Sequence, residues 1–176
     1  MRCPRGLTLL ELLIAISLVA ILAAAGAPLF RSALLEARMT AAVNGLVHTA
    51  HLARNAAQVD VRDVVVCRSI DALQCAPPGN WSSGWIAFVN RDHDDPPTVD
   101  DDERILQASG GQPLQTIRSN RRAYVLRPFP RRATNGTVVF CDARGAAEAR
   151  AVIISYSGRP RVARRSATGQ PLSCPA

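Results

Sequence analysis

The sequence predicts an α+β fold: a long N-terminal α-helix, transmembrane in its first half, packed on a small antiparallel β-sheet domain. Three observations lead there. Residues 7–30 form a run of 24 in which Glu11 is the one charge, and about 20 predominantly apolar residues are enough for a helix to cross a bilayer. Further on, Met39, Val43, Leu46, Ala50, Ala53 and Ala57 recur at steps of 4, 3, 4, 3 and 4, which is the spacing of one helical face. From Asp60 the pattern changes to short β-type runs separated by turn residues. The 176 residues suffice for one domain plus an anchor. The expected division is 1–6, a leader; 7–30, a transmembrane and assembly helix; 31–59, its amphipathic continuation; and 60–176, a disulfide-stapled β domain.

The segment before the apolar run carries Arg2 and Arg5. Positive flanks stay cytoplasmic, so the C-terminal bulk is expected outside a single-pass membrane anchor. An ordinary secretory signal has a shorter apolar core followed by a small-x-small cleavage site. A cut near Ala23-Ala24-Ala25 would leave a chain that starts in mid-helix. Glu11 is also out of place in a signal core, because a carboxylate in hydrocarbon is costly and marks function.

Arg5-Gly6-Leu7-Thr8-Leu9-Leu10-Glu11-Leu12-Leu13 resembles the prepilin motif of type IV pilins and type II secretion pseudopilins. The resemblance implies cleavage after Gly6 by a dedicated inner-membrane prepilin peptidase and N-methylation of Leu7, where the family more often has Phe. It places Glu11 fifth in the mature chain, with the role of pairing with the α-amine of a neighbouring subunit during assembly. Physics agrees, since a buried charge is tolerated only when paired; the competing reading is a Glu that snorkels to the headgroups. Pro28 matches a family proline that kinks the helix. The implied location is the bacterial inner membrane with a periplasmic C-terminal domain, at a pilus tip or in a pseudopilus once assembled.

Strands are expected at residues 61–68, 84–90, 104–108, 123–127, 137–141 and 150–156, with Asn135-Gly136 as a strong turn signal before one of them. Closely spaced strands after one long helix imply an antiparallel sheet wrapped on that helix. Of five cysteines, Cys3 lies in the segment expected to be removed. The other four, Cys67, Cys75, Cys141 and Cys174, imply two disulfides in an oxidising compartment. Of the three possible pairings, Cys67–Cys75 with Cys141–Cys174 is favoured because the first closes a short loop; buried free thiols are the alternative. Neither pair has zinc-knuckle spacing, so no metal is expected there. His48 and His51 lie three apart on the helix without an evident third ligand and read as surface histidines. Asp92 and Asp94 alternate as in a calcium loop, but the EF-hand glycine is absent and prolines intrude, so a solvated acidic loop is expected.

Val66-Cys67, Cys75, Trp81 and Gly84-Trp85-Ile86-Ala87-Phe88, with the later Cys141, Gly158-Arg159 and Cys174, resemble the GspH/FimT group of minor pilins and pseudopilins. Trp85 is expected in the core and Trp81 packed in a loop, in preference to a surface on which bases stack. There is no nucleophile elbow, P-loop, zinc-protease motif or dinucleotide fingerprint, so neither catalysis nor a cofactor is expected.

Charge then separates the functions. All 21 basic residues are Arg, giving a net charge of +7. From Arg118 to Arg165, twelve Arg stand against Asp142 and Glu148, a local net of +10. Guanidinium groups bind phosphate bidentately. Gly158, Arg159 and Arg161 match the Gly-Arg-x-Arg motif of FimT-type pilins, with Pro160 at the variable place and Arg164 and Arg165 extending the charge. That resemblance implies a minor pilin that binds extracellular DNA, without sequence preference, for uptake in natural transformation. The Gly-Arg pair also occurs in relatives that do not bind DNA. The alternatives are an H-type minor pseudopilin of a type II secretion system, a minor pilin that primes assembly without DNA, and, for the Arg stretch, a solvated basic tail. In each case the expected partners are other pilin or pseudopilin subunits.

Overall fold

The computed structural model describes residues 8–114 and 116–174, apart from the side chains of Ala25, Pro28 and Leu29. Cys3, Gly6 and Leu7, and with them the cleavage and methylation site, lie outside the described residues. One helix, α1, runs Leu9–Asp60. The chain divides between Ala37 and Arg38 into two units.

In the first unit, helical apolar side chains such as Leu9, Leu12, Ile16, Val19 and Leu22 are each more than half exposed. A helix that is apolar all round belongs in an apolar surrounding. Among the described residues no helix is long and apolar enough to cross a membrane; the expected span, 7–30, includes Leu7 and the three undescribed side chains. The helix starts in a capping box. The Thr8 N–H and Oγ1 donate to Glu11 Oε2 at 2.9 and 3.0 Å, and the Glu11 N–H donates back to Thr8 Oγ1 at 3.3 Å. Thr-x-x-Glu is the sequence signature of this motif, and it gives Glu11 a local partner within its own chain.

The second unit holds the rest of α1 and eight strands: β1 Asp63–Arg68, β2 Trp85–Asn90, β3 Ile105–Ser109, β4 Thr116–Ser119, β5 Ala123–Leu126, β6 Gly136–Cys141, β7 Arg150–Ile154 and β8 Pro160–Ala163. They form two four-stranded antiparallel sheets, ordered β3-β2-β1-β5 and β4-β6-β7-β8, rather than the one sheet expected. β4 and β8 were not expected as strands. Both are four-residue edge strands of the second sheet and carry Arg118 or Pro160 and Arg161, so neither shows the apolar alternation of a strand packed between neighbours.

The predicted helical stripe is the centre of the core. Met39, Val43, Leu46, Ala50, Ala53 and Ala57 are all at most 2% exposed and pack with Val64 and Val66 of β1, Trp85 of β2, Tyr124 of β5, Phe140 of β6 and Val152 of β7. Alternation along each strand sends the intervening residues to the opposite face. Val65, Cys67, Ile86 and Phe88 gather there on the first sheet, and Cys141, Ala151 and Ile153, with Leu172 of the tail, on the second. Trp85 Nε1 donates to the buried Thr49 Oγ1 at 2.9 Å, and Thr49 Oγ1 donates to the Gly45 carbonyl at 2.9 Å. Trp81 is corrected from loop packing to core. It sits in the 3-10 turn Trp81–Ser83 with 2% exposure and meets Tyr124 edge-on, ring centroids 6.0 Å apart. Neither Trp offers a face to a base.

Gly136 is not a hairpin turn residue. It opens β6 after the chain has crossed from the first sheet to the second, and a Cβ there would stand 2.6 Å from Asn120 Oδ1 and 2.8 Å from Arg121 Cγ. Close approach, not a left-handed backbone, selects glycine. Two disulfides, Cys67–Cys75 and Cys141–Cys174, staple the domain. The second ties the tail to the end of β6, so Leu172 covers the outer face of the second sheet.

Candidate functional site

The Arg stretch that follows Gly158 is not a tail. β7 and β8 form a hairpin that pairs Ile154 with Pro160, Ile153 with Arg161 and Ala151 with Ala163. At the turn, the Gly158 N–H donates to the Ser155 carbonyl at 2.9 Å and the Ser155 N–H donates to the Arg159 carbonyl at 3.1 Å. Gly158 has φ +73°, the left-handed residue that closes a three-residue hairpin loop. The turn is pinned from outside as well. Arg54 Nε on α1 donates to the Ser157 carbonyl at 3.0 Å, and the Ala133 N–H donates to the Tyr156 carbonyl at 2.8 Å. Arg159 and Arg161 are therefore presented from a fixed ribbon, which reduces the ordering cost of a contact.

The twelve arginines between Arg118 and Arg165 sort by what holds them. Arg127 and Arg131 close on the buried Asp63, which also faces His93 Nδ1 at 3.2 Å. Arg144 clasps Asp142 at 2.7 Å and Arg150 donates to Thr40 Oγ1 at 3.0 Å. Arg164 lies 3.7 Å from Glu148, Arg165 donates to the Gly169 carbonyl, Arg121 to the Asn135 carbonyl, and Arg132 stands over the Tyr156 ring. Among the described residues, the side chains of Arg118, Arg122, Arg159 and Arg161 make no hydrogen bond or ion pair, and all four are exposed. Two of the predicted DNA-contacting residues, Arg159 and Arg161, are thus free, while Arg164 and Arg165 have intramolecular partners.

A second basic feature is not apparent in the sequence. Arg54 and Gln58 of α1, residues 127 and 129–132, and Tyr156 and Ser157 line a groove of about 470 Å³. The sequence shows these aromatics and arginines, but nothing in their spacing shows that α1, the loop and the hairpin meet.

The remaining candidates resolve plainly. His48 and His51 are exposed on α1, as expected of surface histidines. The acidic loop is less solvated than predicted. Glu103 is 9% exposed and accepts the Arg91 N–H at 2.5 Å, while Asp94 accepts the Thr98 N–H and hydroxyl at 2.8 and 2.6 Å. Asp92, Asp100 and Glu103 bring carboxylate oxygens within 4.8 Å of one another, a different set from the alternating Asp92 and Asp94. Burial above all, then neighbouring carboxylates, raises Asp100 and Glu103 above the ordinary carboxylate range.

Comparison with known proteins adds the following. Residues 42–158 match the family described as type II transport protein GspH, and residues 1–27 match the prokaryotic N-terminal methylation motif. No curated protein matches the sequence. The type IV minor pilin FimU of Pseudomonas aeruginosa (strain PAO1) has a similar structure in two crystal forms, each with TM-score 0.53 and 17% identity. The match covers 77% of this chain and 98% of FimU in one form, and 79% and 96% in the other. At that identity the likeness shows a shared fold.

Proposed function

The chain belongs to the GspH family, and we propose that within it this protein is a minor type IV pilin that binds extracellular DNA for uptake, through the arginines that follow Gly158. The observation that carries the reading is the state of Arg159 and Arg161. They are exposed, held on a pinned hairpin, and without an internal partner among the described residues. Phosphate contacts by such groups release counterions and carry no sequence information, so the expected target is duplex DNA of any sequence. The match to the methylation motif supports the rest of the reading: cleavage between Gly6 and Leu7, methylation of Leu7, insertion of residues 7–30 in the inner membrane with the β domain in the periplasm, and pairing of Glu11 with a neighbouring subunit's amine. Mass spectrometry of the protein from its host should find Leu7 as the first residue; a start near Ala24 contradicts this.

The decisive measurement is a mobility shift of the full chain in detergent with duplex DNA over a salt series. Arg159→Gln with Arg161→Gln should reduce the log–log salt slope by about two, one for each phosphate no longer neutralised, and leave the thermal melt unchanged. The description of the matched family as a type II transport protein favours a second reading, an H-type pseudopilin of protein secretion. Absence of DNA binding at low salt, together with loss of exoprotein secretion on gene deletion, selects that reading.

A further inference from the structure

We propose that the groove between α1 and the loop at residues 127–132 takes an unpaired nucleotide, its base stacked on Phe129 and Tyr156 and its phosphates on Arg54 and Arg132. This inference rests on the reading of the protein as a DNA binder and adds single-stranded DNA to its targets.

Phe129 is 87% exposed and Tyr156 is 56% exposed, and both line the groove. Water is a poor surrounding for two aromatic rings, and the loop that holds them out is firmly built. Gln58 Nε2 donates to the Arg127 carbonyl at 3.2 Å, and the Phe129 N–H donates to Gln58 Oε1 at 3.1 Å. The Arg131 N–H donates to the Pro128 carbonyl at 3.0 Å, and Arg127 donates to the Arg132 carbonyl at 3.1 Å. The aromatic surface is thus presented by a braced loop.

Charge chooses the occupant. Arg54, Arg127, Arg131 and Arg132 line the groove and no acid does. Arg127 and Arg131 are committed to Asp63, which leaves Arg54, with its charge uncompensated, and the exposed Arg132 to face a ligand. Arg132 already lies over the Tyr156 ring, its guanidinium carbon 5.6 Å from the centroid. A planar π-system tied to an anion satisfies both kinds of group, and a nucleotide is such a molecule. Stacked arginine and aromatic side chains beside a basic track are the means by which single strands are held without sequence preference. Duplex DNA cannot use the platform, because its bases are stacked on one another. The groove also adjoins the hairpin turn: Tyr156 and Ser157 line it, and Arg159 follows two residues after Ser157. A strand leaving the groove therefore meets Arg159 and then Arg161.

The test compares three fluorescent probes on the full chain in detergent, by anisotropy at fixed salt: a 12-mer of thymidine, a 12-mer of abasic sugar-phosphate, and a duplex. The wild-type protein should bind the thymidine strand about tenfold more tightly than the abasic strand for each base stacked. Phe129→Ala with Tyr156→Ala should abolish that preference and leave duplex binding intact. Both side chains are exposed, so the variant should melt as the wild type does; Phe129→Leu with Tyr156→Leu, which keeps apolar surface without a ring face, should also lose the preference. Equal binding of thymidine and abasic strands overturns the proposal while leaving duplex binding in place. So does an alanine variant that keeps the preference but drops out of filaments, which would make the groove a contact between subunits. If the wild-type protein binds none of the three probes, the DNA reading itself fails.

Discussion

Replacing Gly158 with Ala tests whether this glycine belongs to the fold or to the ligand. At φ +73° an L-residue adopts a left-handed backbone, which costs about 1–2 kcal/mol. The new methyl group would stand 3.0 Å from Leu126 Cδ1, 3.4 Å from Arg54 Cδ and 3.5 Å from Ala133 Cβ. Overpacking of that kind adds roughly 1–2 kcal/mol, for a loss of about 2–4 kcal/mol in all. Unfolding of a unit of about 140 residues carries an entropy near 0.3 kcal/mol per kelvin, so the melt should fall by about 7–14 °C. Gly169 is the internal control. It has φ +81° but nothing within 4 Å of its missing Cβ, so Gly169→Ala carries the backbone cost alone, about 3–7 °C. Scanning calorimetry of the full chain in detergent reads both. Equal shifts would show that the close neighbours of Gly158 do not matter, and no shift in either would sink the left-handed argument. If the glycine serves the fold, Gly158→Ala should retain DNA binding well below its melt, where Arg159→Gln with Arg161→Gln loses it. That would account for Gly-Arg pairs in relatives that do not bind DNA.

Removing the Cys141–Cys174 bridge should cost more than removing Cys67–Cys75, because the loops closed are 33 and 8 residues long; loop entropy gives about 3.7 against 2.5 kcal/mol, read as the midpoint shift in urea. The reverse order would mean that strain or packing outweighs loop length. Burial alone would raise the Asp142 carboxyl, but hydrogen bonds from Arg144 and the charges of Arg144 and Arg150 outweigh it and hold the group below the ordinary value of 3.8. Its contribution is therefore complete above pH 3.8 and disappears as pH falls through the lower folded value. Asp142→Asn should lower the melt at pH 7, with the gap to wild type closing below pH 3.8; a gap that persists in acid would place the effect elsewhere than in the charge. Glu11→Gln keeps the capping box with Thr8 but removes the charge. It should be lost from sheared filaments as fully as Glu11→Val, and normal incorporation of the Gln variant would refute the pairing argument.

The legible parts of the fold were those with a strong local period. The stripe from Met39 to Ala57 could be read because a buried helical face repeats every three or four residues, and each of its members is at most 2% exposed. Central strands such as β1 and β2 could be read because core on both faces makes them almost wholly apolar. Edge strands β4 and β8 could not, since they are short and polar and take their geometry from a neighbour. Trp81 looked like loop packing because its turn is irregular, yet the turn is fastened from a distance: Asn80 Oδ1 accepts both the Ser82 N–H at 3.0 Å and the Ile117 N–H at 2.8 Å.

For the site, the sequence by itself determined which residues carry the chemistry: an Arg-only basic half, a Gly-Arg-Pro-Arg stretch and an apolar N-terminal run with one carboxylate, all legible because composition and spacing are local properties. Only the tertiary structure decided which of those charges remain available. Asp63 neutralises Arg127 and Arg131 from about 65 residues away in sequence, a distance over which no spacing rule operates. Likewise Phe129, Tyr156 and Arg54 share one groove because a helix, a loop and a hairpin pack together. Free charge and shared surface are properties of pairs distant along the chain, and burial, not order, brings such pairs together.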